Sequence, residues 1–292
     1  MDDSASLDTL FREAAGAIDA GDTGALERLL AAHPALVRER LTAPGDWLRD
    51  RVNGALEGYF RAPYLLWFVA DNPIRIGSLP ANIAEVARTI ATAAKREEAP
   101  ELQAQLDYAL ALVVTGRVPR DCGMQTELMD ALIDAGANPG DGYGALSARN
   151  LAAAAHLVER GGRLTLAAAL CLDRADDAAR LAADATAEDR QIAFAAAALN
   201  GNAGALATLI GLGADVRAYA TAIHPHATPL HHAVDSGSLG AVKVLVEAGA
   251  PLDARDRVYD GTPLDWAEHL GRGEIARCLR ELAAKSVEDG DG

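Results

Sequence analysis

Lysine is nearly missing from this chain. It stands only at Lys95, Lys243 and Lys285, so the 27 basic residues are overwhelmingly arginine, a bias that points to a GC-rich, bacterial genome. Those 27 face 42 acidic residues, a net charge of −15. A phosphate backbone is repelled by such a surface on average, so nucleic acid is not an expected partner, and a protein partner is expected to be basic or neutral. Cysteine is scarce as well. Cys122, Cys171 and Cys278 are odd in number, far apart and without a C-x-x-C spacing. That excludes a disulfide framework and leaves reduced, mostly buried thiols. No apolar run approaches the length of a membrane span, and the opening MDDSASLDTL lacks a basic-plus-apolar signal; a cytoplasmic protein without a membrane contact is the expectation. Catalytic signatures are missing too: there is no G-x-S-x-G, no G-x-x-x-x-G-K-[ST] and no G-x-G-x-x-G after a strand. No catalytic residue and no cofactor is assigned, and a non-enzyme is the expectation. Aromatic residues make up only 4% although half of the chain is apolar. Alanine fills the difference, as closely packed short helices require.

What is present is a stretch stated twice. Thr228-Pro229-Leu230-His231-His232-Ala233 returns 34 residues later as Thr262-Pro263-Leu264-Asp265-Trp266-Ala267, and Gly237 returns as Gly271. Thr can cap a helix through its hydroxyl and Pro suits the first helical position, where no N–H is needed. Gly237 breaks that short helix. A second one follows, with Leu239, Val242, Leu245 and Val246 on one stripe, and Gly249 ends it. These residues resemble the ankyrin repeat, whose signature is T-P-L-H-x-A in a unit of about 33 residues. The resemblance implies a stack of helix pairs with a binding groove along one side. In the family the motif His bonds the backbone and the Thr hydroxyl, here His231 with Thr228. The second unit departs at Asp265, where the family has His, which puts that bond in question there.

The rest of the chain carries weaker copies of the pattern. Residues 7–40 read as a helix pair broken at Gly21-Asp22 and stopped by Pro34. Residues 41–62 fit no repeat; Pro63 opens a further unit, with a loop from Asn72-Pro73 to Leu79-Pro80 and a long helix over 81–96. Pairs follow at 101–138, 142–163, 164–185 and 187–216, the exits marked by Gly136, Gly161 and Gly213. The expected fold is an all-α, ankyrin-like repeat solenoid of about eight helix pairs with an irregular N-terminal insertion. Its expected divisions are an atypical N-terminal cap over 1–100 with an aromatic-rich insertion, shortened repeats over 101–185, regular repeats over 186–284, and a disordered tail over 285–292.

Three features could carry recognition. The first is His224, His226, His231 and His232, four of seven histidines within nine residues. The resemblance places His232 facing the groove, and His224 and His226 on a loop three residues longer than a simple repeat needs. H-x-H alone, with no H-x-x-x-H or H-E-x-x-H, does not make a metal site, so no metal is assigned. The second is aromatic: Trp47, Tyr59, Phe60, Tyr64, Trp67 and Phe68 fall within 22 residues. They either fill a junction or, at Trp47, Tyr64 and Trp67, form a wall for a ring, peptide or cation. The third is the tip Arg255–Gly261 with Tyr259, which in ankyrin stacks projects beside the groove. The leading reading is a protein- or peptide-binding scaffold using His232, Trp266, Asp265, His226, His224, Tyr219, Tyr259 and Arg217. The rival is a small-molecule binder or enzyme with a pocket between the 41–100 insertion and the groove; a structural oligomer is a third class.

Overall fold

A computed structural model describes residues 6–70, 78–219 and 221–288; their regular elements are all helices, with no strand among them. Helices divide into two compact units, one of residues up to Gly140 plus Glu159–Gly162, the other of Asp141–Val158 plus Arg163 onward.

The first unit contains α1 (Leu7–Ala20), α2 (Thr23–Ala32), α3 (Ala35–Arg38), α4 (Asp46–Val52), 3₁₀ turns at Asn53–Glu57 and Leu65–Val69, α5 (Ile83–Arg96), α6 (Leu102–Thr115), α7 (Arg117–Asp121) and α8 (Gln125–Asp134). Its elements stack in two rows. α1, the turn Leu65–Val69 and α6 pack in succession, as do α2, α5 and α8. The stretch opened by Pro63 therefore fills the place of a first helix but forms a single 3₁₀ turn, with all five side chains buried. The loop expected from Asn72 lies largely outside the described residues.

In the second unit are α9 (Tyr143–Ser147), α10 (Leu151–Glu159), α11 (Leu166–Cys171), α12 (Ala175–Ala183), α13 (Ala187–Leu199), α14 (Ala203–Gly211), α15 (Pro229–Ser236), α16 (Leu239–Glu247), α17 (Pro263–His269) and α18 (Gly273–Glu288). First helices form one row, α9 on α11, α11 on α13, α13 on α15 and α15 on α17; α14, α16 and α18 form the other. α13 is covered on both sides by its row and on a third by α14, so every residue from Ile192 to Leu199 is buried. Its run of alanines is what lets the neighbouring backbones approach. At the C-terminal end, α18 continues to Glu288, and 289–292, the rest of the expected disordered tail, lie outside the described residues.

One local device recurs between paired helices: a left-handed residue followed by a capping side chain. Gly21, Gly201 and Gly237 have φ of +65°, +68° and +77°, and Asp22, Asn202 and Ser238 after them accept the N–H of the residue three further on. Arg149 and Asp173 take the same left-handed place at φ +53° without being glycine, and Asn150 caps α10 through the Ala153 N–H. These turns also link to one another. Asn202 donates to Leu170 O, and Ser238 donates to Gly201 O. Each link adds a side-chain donor to a carbonyl in or just after the last turn of the preceding first helix, where intrahelical donors run out.

Candidate functional site

The groove begins at two helix starts. Thr228 caps α15 through its hydroxyl, while His231 Nδ1 receives the Thr228 N–H at 3.3 Å and lies 2.7 Å from the Thr228 hydroxyl. An acceptor Nδ1 leaves the proton on Nε2, which donates to Gly261 O at 3.0 Å. The bond that the resemblance implied for His231 is therefore present, and it reaches into the following repeat. Burial lowers the His231 pKa, against the pull of Gly261 O and Asp256, so the ring stays neutral.

At α17 the same cap is built with a carboxylate. Asp265 Oδ2 accepts the Thr262 N–H at 2.8 Å and the Thr262 hydroxyl at 2.7 Å, and the Asp265 N–H returns to that hydroxyl at 3.2 Å. These bonds hold the Asp265 pKa below the ordinary carboxylate range. The shorter side chain caps its own helix but makes no link like that from His231 to Gly261.

The tip between these helices is organised by Asp256, 3% exposed. Its Oδ1 accepts the N–H groups of Val258 and Tyr259 at 2.9 and 2.7 Å; Oδ2 accepts the Gly261 N–H and the Trp266 indole N–H, both at 2.9 Å. Burial alone would raise the Asp256 pKa, but those four donors outweigh it and hold the carboxyl well below its usual value. The same contacts fix the Trp266 ring. It lies edge-on to His231 at 5.1 Å between centroids and 6.1 Å from His226.

Between the 224–226 loop, α15, the tip and α17 opens a groove of about 680 Å³. Leu199, His224, His226, His232, Asp235, Tyr259, Gly261, Asp265, Trp266, His269 and Leu270 line it. The structure thus gathers six of the eight residues of the leading reading: His224, His226, His232, Tyr259, Asp265 and Trp266. Arg217 and Tyr219 are not among its lining residues. Tyr219 instead supports the tip from behind, donating to Arg255 O at 2.7 Å and carrying the Arg257 guanidinium 3.9 Å above its ring. Arg217 is exposed, with its N–H on Asp215.

His232 is 2% exposed, yet its Nε2 has no hydrogen-bond partner among the described residues. The backbone of His224 favours the protonated ring slightly against that burial, and a neutral imidazole with its proton on Nδ1 carries its lone pair on Nε2. Burial, reinforced by the neighbouring His224, His226 and His231, lowers the His232 pKa to about 3. The centroids of His224, His226 and His232 lie 5.8 to 6.5 Å apart, but no cluster of three His, Cys, Asp or Glu among the described residues is placed to hold a metal ion. His224 has φ +43°, an uncommon and costly conformation for a residue other than glycine.

The aromatic residues of the first unit have a different use. Tyr64 and Trp67 are 3% and 6% exposed and do not present a wall to a ligand. Trp67 packs on Phe60, Tyr64 and Tyr108 with centroids 6.2, 5.6 and 4.4 Å away, and its indole N–H donates to Gln105 O. Tyr64 donates to Glu101, with Arg40 over its ring at 4.6 Å. Trp47 leans on Phe68, with its N–H on Asp8 at 2.7 Å. Tyr64 and Trp67 bury their rings in a short, irregular segment and keep no face for a ligand, which is the physical reason for the correction there; Trp47 is half-buried and lines a separate cleft with Arg12, Asp19 and Arg51. Sequence reasoning also missed Asp235, His269, Leu199 and Leu270. The i and i+3 positions from His232 to Asp235 and from Trp266 to His269 are the signal that would have found two of them, since each pair shares one helix face.

Comparison with known proteins agrees with this geometry. Residues 193–289 match the family model for ankyrin repeats, three copies. A 55-residue stretch is 46% identical to human cyclin-dependent kinase inhibitor 2A, covering 19% of this chain and 35% of that protein. In these comparisons the chain therefore spans about a third of the curated relative's length. No helix among the described residues is long and apolar enough to cross a membrane.

Proposed function

We propose that this protein is a binding scaffold whose groove at α15 and α17 and adjoining tip take up a segment of a protein partner. The observation that carries the reading is the convergence of His224, His226, His232, Tyr259, Asp265 and Trp266 on one groove of about 680 Å³ within the ankyrin repeats. Ankyrin repeats generally mediate protein–protein contact, and the human relative is named for inhibiting a kinase, itself a protein. The net charge of −15 favours a basic or neutral partner. The tip supports binding because Asp256 orders it beforehand, so little conformational entropy is lost on contact. Tyr259, 78% exposed beside the groove, supplies a large, stiff contact surface.

The test uses the whole chain and a double variant, His226→Ala with Tyr259→Ala, which leaves both helix caps and Asp256 intact. Proteins bound to each are quantified from a lysate of the source cell, and the leading candidate is then purified and titrated. Saturable binding to the native chain, weakened at least about tenfold by the double variant, supports the reading. Equal binding by both chains, or no partner above background at low salt, refutes it.

A further inference from the structure

The groove contains acceptors, anions and aromatic faces, and no arginine or lysine lines it. His232 contributes a buried Nε2 lone pair that nothing among the described residues satisfies. A buried, unsatisfied acceptor is costly, so its persistence at the groove marks a place prepared for an incoming donor. Of the two carboxylates, Asp235 is already matched: Arg149 lies 3.5 Å from its Oδ2 and donates to its backbone carbonyl. Asp265 is different. Its Oδ2 takes both bonds from Thr262, and the guanidinium of nearby Arg255, which attracts it from a distance, is engaged by Asp260, so Asp265 is in direct contact with no cation among the described residues. Trp266 adds the face of an indole whose position is fixed through Asp256.

From these features we infer that the groove is a receptor for an arginine side chain of the partner, the guanidinium donating to His232 Nε2 and Asp265 and lying against Trp266. The inference rests on the reading of the groove as the partner-binding site. Arginine fits better than lysine for three reasons. Its fork carries five donors, so it can serve an imidazole and a carboxylate at once; it stacks on an aromatic face; and it gives up its hydration more readily than an ammonium. A neutral apolar residue would leave His232 Nε2 unsatisfied. An acidic one would meet Asp265 and an acceptor nitrogen. The low pKa of His232 keeps that nitrogen an acceptor throughout the neutral range.

The experiment needs no identified partner. N-acetyl-arginine amide, its citrulline counterpart and its lysine counterpart are titrated into the whole protein at neutral pH, and the three tryptophan indole N–H signals are followed by NMR. Citrulline matches arginine in length and shape but lacks the charge and two of the five N–H donors, a carbonyl oxygen standing in place of one NH₂. The expected result is saturable movement of the Trp266 signal by arginine at millimolar concentration, the range suited to one isolated side chain. Citrulline should bind at least about tenfold more weakly, lysine more weakly than arginine, and His232→Phe and Asp265→Asn should each weaken arginine binding at least about threefold. The citrulline comparison needs no variant and stands even if His232→Phe fails to fold. Equal binding of arginine and citrulline, stronger binding of lysine, or no movement of Trp266 by arginine overturns the inference. In each of those cases, if a purified partner still depends on His226 and Tyr259, only the arginine inference falls. If that dependence is also missing, the scaffold reading falls with it.

Discussion

Replacing Asp256 is the most informative single perturbation, because one 3%-exposed carboxylate accepts four N–H donors. Each hydrogen bond to a charged acceptor contributes about 1.5–3 kcal/mol, but the tip is at the surface and its freed N–H groups can rehydrate. Asp256→Ala should therefore cost about 3 kcal/mol, a fall in Tm of about 6–12 °C for a unit of this size. Asp256→Asn is the sharper probe. An amide has one oxygen and one NH₂ group, so in either orientation two of the four N–H donors face another donor. Its cost should reach at least half that of alanine, measured by urea unfolding with circular dichroism. The pH dependence has a definite sign. The folded carboxyl is held below its ordinary value, so its stabilisation is complete above the unfolded pKa of about 4 and is lost as pH falls through the folded value. Native protein should thus lose more stability below pH 4 than Asp256→Asn does. His232, whose pKa drops to about 3 on folding, adds its own acid loss between about 6.5 and 3, equal in both proteins. An asparagine variant within about 0.5 kcal/mol of native, where ordinary surface substitutions fall, would refute the carboxylate's role as organiser of the tip.

Three further outcomes follow from the same contacts. His231→Ala should cost about 2 kcal/mol and Asp265→Ala about 1 kcal/mol, because only His231 links to the next repeat through Gly261; equal losses by urea titration would contradict this. Gly201→Ala should destabilise by about 1–3 kcal/mol, since φ is +68° and a Cβ would stand 2.8 Å from Ser238 Cβ, whereas Gly240→Ala, whose Cβ would meet only atoms beyond 3.6 Å, should stabilise by about 0.5 kcal/mol; thermal melts of the pair decide. Trp67→Ala should cost about 3–5 kcal/mol and Tyr64→Phe less than about 1 kcal/mol, as core and core-edge residues do, and a tryptophan replaceable without loss would restore the idea of a free aromatic wall.

The fold was legible wherever glycine or proline marked a turn. Gly136, Gly161, Gly213 and Gly249 all have positive φ just beyond helices, which is why the pairs they close could be placed from spacing alone. Helix-pair count was legible for the same reason: among the described residues, three pairs in the first unit, one of them with the 3₁₀ turn as its first member, and five in the second make eight. What escaped was structure whose conformation is set by packing. The left-handed turns at Arg149 and Asp173 carry no glycine, and α3, α4, α7 and the 3₁₀ turn at Leu65–Val69 are too short for periodicity to show. In the site, the histidines were visible because they cluster in sequence. Asp256 was visible only as one of several charges on a tip, since its four bonds go mostly to backbone N–H groups, which no sequence pattern displays. The burial of Tyr64 and Trp67 was hidden because an aromatic cluster reads alike whether it faces solvent or fills a core.

The substitution of Asp265 for the motif histidine ties these levels together. A histidine there would spend its Nδ1 on the Thr262 cap and direct its Nε2–H towards a carbonyl of a further repeat, as His231 does towards Gly261. Among the described residues no such carbonyl follows α17, and position 265 is exposed, so that N–H would turn to water and link nothing. A carboxylate satisfies the same cap with one oxygen and leaves its negative charge at the groove beside Trp266. The change that ends the histidine ladder thus also gives the groove its unpaired anion, and one residue serves helix capping and recognition together. If that coupling is real, Asp265→His should keep the Thr262 cap and most of the stability yet lose selectivity for arginine over citrulline. A histidine variant that keeps the selectivity would separate the two roles and place the recognition charge elsewhere.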